Sequence, residues 1–181
     1  MQMNWRTLKK EIIQCVITFF ITIIFFSTIL KNGVVPSKSM EPTLAVGDIV
    51  IVNGLSYMNK KPQRGDIIIF KHDELGKEIL IKRIIGIPGD SLMFIDGAVY
   101  LNGELLEEKY LAEGTQTDSF KDFENIPKDC YFVMGDNRKN SWDSREWQNP
   151  YVYKKDIEGK ALIVIPIEQM RKILKNSRFA K

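Results

Sequence analysis

From Ile12 to Leu30 the chain runs nineteen residues without a charge, and no other stretch limits its possible folds so strongly. At about 1.5 Å per helical residue, such a run comes close to the roughly 30 Å hydrocarbon thickness of a bilayer. Nearly every face of it is apolar, which argues against a helix packed by one stripe on a soluble core. Its polar members are Gln14 and four hydroxyl residues, Thr18, Thr22, Ser27 and Thr28, and a helical hydroxyl can bond back to its own backbone. Arg6, Lys9 and Lys10 precede the run with only Glu11 against them, while Lys31 alone follows it closely. The positive-inside rule then predicts a single-pass arrangement in the cell membrane: residues 1–11 cytoplasmic, 12–30 a transmembrane helix, and 31–181 an extracytoplasmic domain. Trp5 sits where an interfacial aromatic would. A cleavable signal peptide would need a shorter apolar core and a small-x-small site, and the segment Leu30 to Pro36 contains none.

About 150 residues remain, the usual size of one folded domain and enough to bury a core without disulfides. They read as short strands separated by turn signals, so the expected class is mainly β. Gly47-Asp48 opens the apolar run Ile49 to Val52, and Arg64-Gly65-Asp66 opens Ile67 to Phe70. Glu78 to Ile87 is a longer extended stretch closed by Pro88-Gly89-Asp90. Asp96-Gly97 between two apolar runs predicts a hairpin with a type I′ turn. Cys130 to Met134 and Ala161 to Ile165 are further core strands, whereas the charged region 103–128 has no period and is expected to be a surface excursion. After Pro166, Ile167, Met170, Ile173 and Leu174 fall at helical spacing among basic residues, as in a solvated terminal helix or one lying on anionic lipid.

Several function classes drop out. A net charge of +3 with 23 acidic residues gives no basic stripe, so nucleic acid is not an expected partner. The two cysteines, Cys15 and Cys130, lie in different parts of the chain, and His72 is the only histidine. No usual metal-ligand spacing exists, and neither a metal nor another cofactor is expected.

Three segments carry polar residues where a sheet protein has no structural need of them. The first runs Pro36-Ser37-Lys38-Ser39-Met40-Glu41-Pro42-Thr43-Leu44, only a few residues beyond the apolar run. In the second, Ile79-Leu80-Ile81-Lys82-Arg83-Ile84-Ile85-Gly86-Ile87-Pro88-Gly89-Asp90, two cations interrupt an apolar strand, and period-two alternation sends them to opposite faces. One of the two is expected to face the interior or a groove. A buried lysine is penalised in its charged form, so its pKa falls from about 10.4 and the neutral amine becomes a usable base. The third, Gly135-Asp136-Asn137-Arg138-Lys139-Asn140-Ser141-Trp142-Asp143-Ser144-Arg145, reads as a hydrogen-bonded loop in which Asp143 and Arg145 can pair. Taken singly, each has a plainer reading: a turn, a strand whose cations reach water, a polar surface loop.

Together and in this order, the three segments resemble the boxes of the type I signal peptidase family, S-x-S-M-x-P-T, K-R-x-x-G-x-P-G-D and G-D-N-R-x-x-S-x-D-S-R, all matched without a gap. The resemblance implies a membrane-bound serine endopeptidase, of coiled antiparallel sheets, that removes signal peptides from secretory preproteins. It implies Ser39 as nucleophile, Lys82 as general base, and an oxyanion hole built from the Ser37 hydroxyl and the Ser39 backbone N–H. Ser141 would orient the Lys82 amine, Asp143 and Arg145 would support the loop, and Met40 and Ile81 would line the substrate cleft. Cleavage after small residues at −1 and −3 is implied as well. The short interval between Asp90 and Gly135 matches the family's compact form, as in Gram-positive bacteria, with one span instead of two.

Other readings predict different residues. A Ser39, His72 and Asp triad would need His72 desolvated and oriented, and the charged turn Lys71-His72-Asp73-Glu74 promises neither. Self-cleaving repressors with a serine and a lysine carry a DNA-binding domain in place of an apolar anchor. A peptidase dedicated to one exported protein would keep the same residues, whereas a non-catalytic, membrane-tethered peptide-binding module would have lost Ser39 or Lys82.

Overall fold

The computed structural model describes residues 5–72, 74, 76, 78–168 and 170. One helix, α1 (Trp5–Ile29), leads directly into strand β1 (Leu30–Val34). Its side chains are described at Trp5 and from Leu8 to Ile23, and among the described residues no helix is long and apolar enough to cross a membrane. Among the described residues, everything after α1 is strand, turn and short 3₁₀ helix, save a first turn after Pro166, where the Met170 N–H donates to the Pro166 carbonyl (3.1 Å). The rest of the expected terminal helix, Ile173 and Leu174 included, lies outside the described residues.

The strands β2 (Ile49–Asn53), β3 (Ile67–Lys71), β4 (Ile79–Gly86), β8 (Cys130–Met134), β9 (Val152–Tyr153) and β10 (Ile157–Ile165) join β1 in a seven-stranded sheet ordered β1-β2-β10-β3-β4-β8-β9, every pair antiparallel. A second sheet is the meander β5 (Leu92–Ile95), β6 (Ala98–Leu101) and β7 (Glu104–Leu105). Its first turn is the expected Asp-Gly pair, with φ of 51° at Asp96 and 77° at Gly97, as a type I′ turn requires. Strand β10 begins at Ile157, four residues before the expected Ala161, because it first pairs with β3 and then passes across to β2. It changes register at Gly159, where a Cβ would come within 2.6 Å of the Asn53 carbonyl oxygen; only glycine lets the strands approach so closely.

Alternation along β3 and β4 divides the core. Ile69 packs with Val35, Met40, Leu44, Val50 and Val52 on one face, while Ile68, Phe70 and Ile84 pack with Tyr131, Val133, Trp147 and Val152 on the other. A third cluster, around Phe132, Met134, Leu92 and Ile126, joins β8 to the meander.

Region 103–128 is not the loose excursion that its composition suggests. Thr117, Phe123 and Ile126 are buried, and Phe123 exchanges backbone hydrogen bonds with Leu92 at 2.7 and 2.9 Å. Most of the region lies at the surface, but Phe123 and Ile126, too few and too widely spaced to show a period, anchor it in the core. His72 departs from expectation too: it is 5% exposed, with its ring against Trp147. Phe132 is fully buried in the five-residue interior strand β8. Phe132→Ala is expected to cost about 3–5 kcal/mol, read as a lower urea midpoint for the full chain in detergent.

Candidate active site

The turn Lys38–Met40 stands at the end of β1, fixed by backbone bonds from Val35 N–H to Asp48 (2.9 Å) and from Gly47 N–H to Val35 (3.0 Å). The Asp48 carboxylate accepts the Ala45 N–H at 2.9 Å, which closes the return to β2. Within the turn Ser39 is 8% exposed, and the Ser37 hydroxyl donates to Ser39 Oγ at 3.2 Å. Ser37, Ser39, Met40, Ile81 and Lys82 all line one cavity of about 340 Å³, floored by Val50, Val52 and Ile69. The five residues expected in the nucleophile turn, the lysine strand and the cleft are therefore neighbours in space. Met40 is itself buried and belongs as much to the core as to the cavity.

Both cations of the second segment are buried, not one: Lys82 is 4% exposed and Arg83 9%. They point to opposite faces, as the pleat requires, but each face is covered. Burial pushes the Lys82 ammonium down to about 8; Asp143 and Asp136 pull the other way, and Arg145 adds to the depression. The cavity thus holds a hydroxyl, on Ser39, and an amine that gives up its proton near neutrality. That pair can carry out acyl transfer without a histidine.

The loop after β8 reaches both elements. Gly135 lies where a Cβ would collide with the Ser39 carbonyl oxygen and the Ser141 side chain, so a bare backbone is what lets the three meet. Asn137 donates from its backbone to the Ser39 carbonyl (3.0 Å) and from its side chain to the Lys38 carbonyl (3.1 Å). Asp143 is fully buried and accepts from the Ser141 hydroxyl (2.7 Å), the Gly135 N–H (3.0 Å) and Arg145 Nε (2.8 Å). Ser141, Asp143 and Arg145 thus form one bonded unit, as their spacing allowed.

Other groups at the site were given no role from the sequence. Arg83 forms a two-pronged pair with Asp136, at 2.9 Å from Nε and 2.7 Å from Nη2, while Nη1 donates to the Gly65 carbonyl (3.0 Å). Thr43 also donates to Asp136. The guanidinium of Arg83 lies 3.9 Å from the Tyr110 ring centroid, and the Tyr110 hydroxyl donates to Glu108, which in turn receives both terminal nitrogens of Arg138 at 2.6 and 3.0 Å. Asp136 and Arg138 stand inside the third segment and were visible as residues. Glu108 and Tyr110 had no local signal, because what marks them is a partner some thirty positions away.

A family model described as "Signal peptidase, peptidase S26" matches residues 6–166. The chain is 35% identical over 165 residues to "Probable signal peptidase I-2" of Synechocystis sp., covering 88% of this chain and 72% of the relative. It is 42% identical over 136 residues to "Signal peptidase I" of Leptolyngbya laminosa, covering 71% and 65%. With "Signal peptidase I P" of Bacillus subtilis subsp. natto, identity is 32% over 173 residues, covering 91% and 90%.

Asp136→Ala would strand a buried guanidinium. The expected loss is about 3–5 kcal/mol in urea unfolding, most of it recovered when Arg83→Met removes the orphaned charge. If the double variant is no more stable than Asp136→Ala, the pair is not what holds this loop.

Proposed function

The chain belongs to the signal peptidase family, peptidase S26, and from that premise we propose that Ser39 and Lys82 form its catalytic dyad. As a serine peptidase of this family it removes signal peptides from exported preproteins. The observation that carries the dyad is the shared cavity, lined by both Ser39 and Lys82, whose amine burial lowers to a pKa of about 8.

In this reading the neutral Lys82 amine takes the Ser39 proton as Oγ attacks the scissile carbonyl. The oxyanion that forms receives the Ser37 hydroxyl, 3.2 Å from Ser39 Oγ, and the Ser39 backbone N–H. Collapse breaks the C–N bond, and the Lys82 ammonium protonates the leaving amine. Water then enters, Lys82 accepts its proton, and the acyl-enzyme is hydrolysed. Ser141 donates to Asp143 at 2.7 Å, which leaves its oxygen lone pairs available to an ammonium donor, and its proposed role is to orient the Lys82 amine. Arg145 holds Asp143 in place with two hydrogen bonds, from Nε at 2.8 Å and from Nη2 at 3.0 Å.

Substrate lies extended between two strand edges. Strand β8 pairs with β4 only from Arg83 onward, so Ile79–Lys82 keeps one free edge, and Lys31–Val35 faces it across the cavity. Alternate substrate side chains point into this space, where Met40 and Ile81 limit their size; that favours small residues at −1 and −3. The anchor belongs to the same reading. The uncharged run continues to Leu30, and the described side chains Ile12, Ile13, Val16, Ile17, Phe19, Phe20, Ile21 and Ile23 are exposed around α1, as lipid contact requires. Residues 1–11 lie in the cytoplasm and the catalytic domain on the extracytoplasmic side.

Purified protein in detergent or liposomes is expected to cleave a secretory preprotein, with Ser39→Ala and Lys82→Ala each at least ~100-fold slower. Because the base acts only when neutral, kcat/KM should rise with pH through about 8 and level off above it. Full activity in Lys82→Ala would remove the dyad. Alkaline carbonate extraction tests the anchor: the chain is expected in the membrane pellet, and release to the supernatant would exclude a span.

A further inference from the structure

We infer that His72 is a positioning residue for Lys82, acting through the indole of Trp147; the inference rests on Lys82 being the base. His72 directly follows β3 and is buried, and its ring lies 4.0 Å from that of Trp147, centroid to centroid, at an interplanar angle of 33°. His72 Nδ1 and Trp147 Nε1 are both buried, and among the described residues neither has a hydrogen-bond partner. Two desolvated, unpaired nitrogens cost stability, so stability alone does not account for this pair.

The indole touches both halves of the site. On one side its backbone N–H donates to the Asp143 carbonyl (3.3 Å), and its ring meets Trp142 edge-on at 6.0 Å, inside the segment that carries Ser141 and Asp143. On the other it packs in the cluster of Ile68, Phe70, Leu80 and Ile84. Alternation places Leu80, Lys82 and Ile84 on one face of β4, and Lys82 pairs directly with Ile68. That cluster therefore flanks Lys82 on its own face and keeps water from its stem. Glu74, just beyond His72, accepts the Asn149 N–H at 2.9 Å and ties the same two segments together. His72 is the flat surface against which the indole is set.

The charged groups around Lys82 are Asp143 and Asp136, which favour its ammonium form, and Arg145, which opposes it. None of them is altered when His72 is shortened. What changes is packing: a void opens beside the indole, water gains access, and desolvation of the amine weakens. Its pKa then rises, and the acidic limb of kcat/KM moves to higher pH. His72 is not among the residues lining the substrate cavity, so KM stays as it was.

The test uses the full chain in detergent with a preprotein substrate, comparing the unaltered protein, His72→Ala, His72→Phe and Trp147→Phe across pH, each normalised to its folded fraction. His72→Ala is expected to move the limb up by about one pH unit, a loss of about tenfold in kcat at pH 7 with KM unchanged. His72→Phe, which keeps a flat ring on the indole, is expected to restore both. The effects of His72→Ala and Trp147→Phe should fall short of additive in the double variant, since they act through one ring. If His72→Ala does not fold, the smaller cut His72→Val carries the same expectation. A limb that stays in place in His72→Ala, or a His72→Phe variant no better than His72→Ala, overturns the inference and leaves His72 a packing residue. An unaltered protein without an acidic limb, or an active Lys82→Ala, would instead remove the lysine reading on which the inference stands.

Discussion

The pairing of Arg83 with Asp136, buried between β4 and the loop after β8, is the contact on which the site depends. Arg83 is the residue after Lys82, and Asp136 is the residue after Gly135, the point where Ser39 and Ser141 come together. Thr43, at the far end of the serine turn, donates to the same carboxylate. One ion pair thus sets the mutual positions of the strand, the turn and the loop. A buried charge pair is seldom a net gain over apolar packing, so its use here lies in geometry: guanidinium and carboxylate meet well only in one orientation.

For Lys82 to serve as the proposed base, position alone is not enough. The second requirement is dryness, and it comes from the sheet itself. Ile68 stands beside Lys82 across the strand pair, Leu80 and Ile84 flank it along the strand, and the cluster they belong to is closed from below by Tyr131, Val133 and Trp147. These side chains are ordinary core residues whose packing stabilises the fold. The same packing withholds water from the amine, so stability and a lowered pKa arise from one arrangement and are hard to separate. The nearby carboxylates temper the shift, which leaves the amine near neutrality instead of far below it.

Much of the fold was legible along the chain, since alternation and turn chemistry are local. The strands around Ile49, Ile67, Leu92 and Cys130 appear where the apolar runs begin, and Asp96-Gly97 makes its hairpin because left-handed φ at both turn residues suits that dipeptide. The misreadings share one cause. Region 103–128 and His72 both lie in charged, aperiodic sequence, and what holds them is distant: Leu92 for Phe123, Arg138 for Glu108, Trp147 for His72. Likewise both Lys82 and Arg83 are buried because the strand is covered on two sides, and alternation says which side a residue takes but not what lies over it.

By itself, the sequence determined the order of elements, the uncharged N-terminal run and the identity of the three polar boxes, because each is written in adjacent residues with a fixed local geometry. Tertiary structure decided which of those residues meet. The Ser37–Ser39 turn, Lys82 and Ser141 come from segments more than forty positions apart: the turn meets Ser141 at Gly135, which has no side chain to keep them separate, and Lys82 lines the same cavity as the turn. The chemical state of Lys82 was decided there as well, since desolvation belongs to a surrounding volume and no stretch of chain encodes that volume alone.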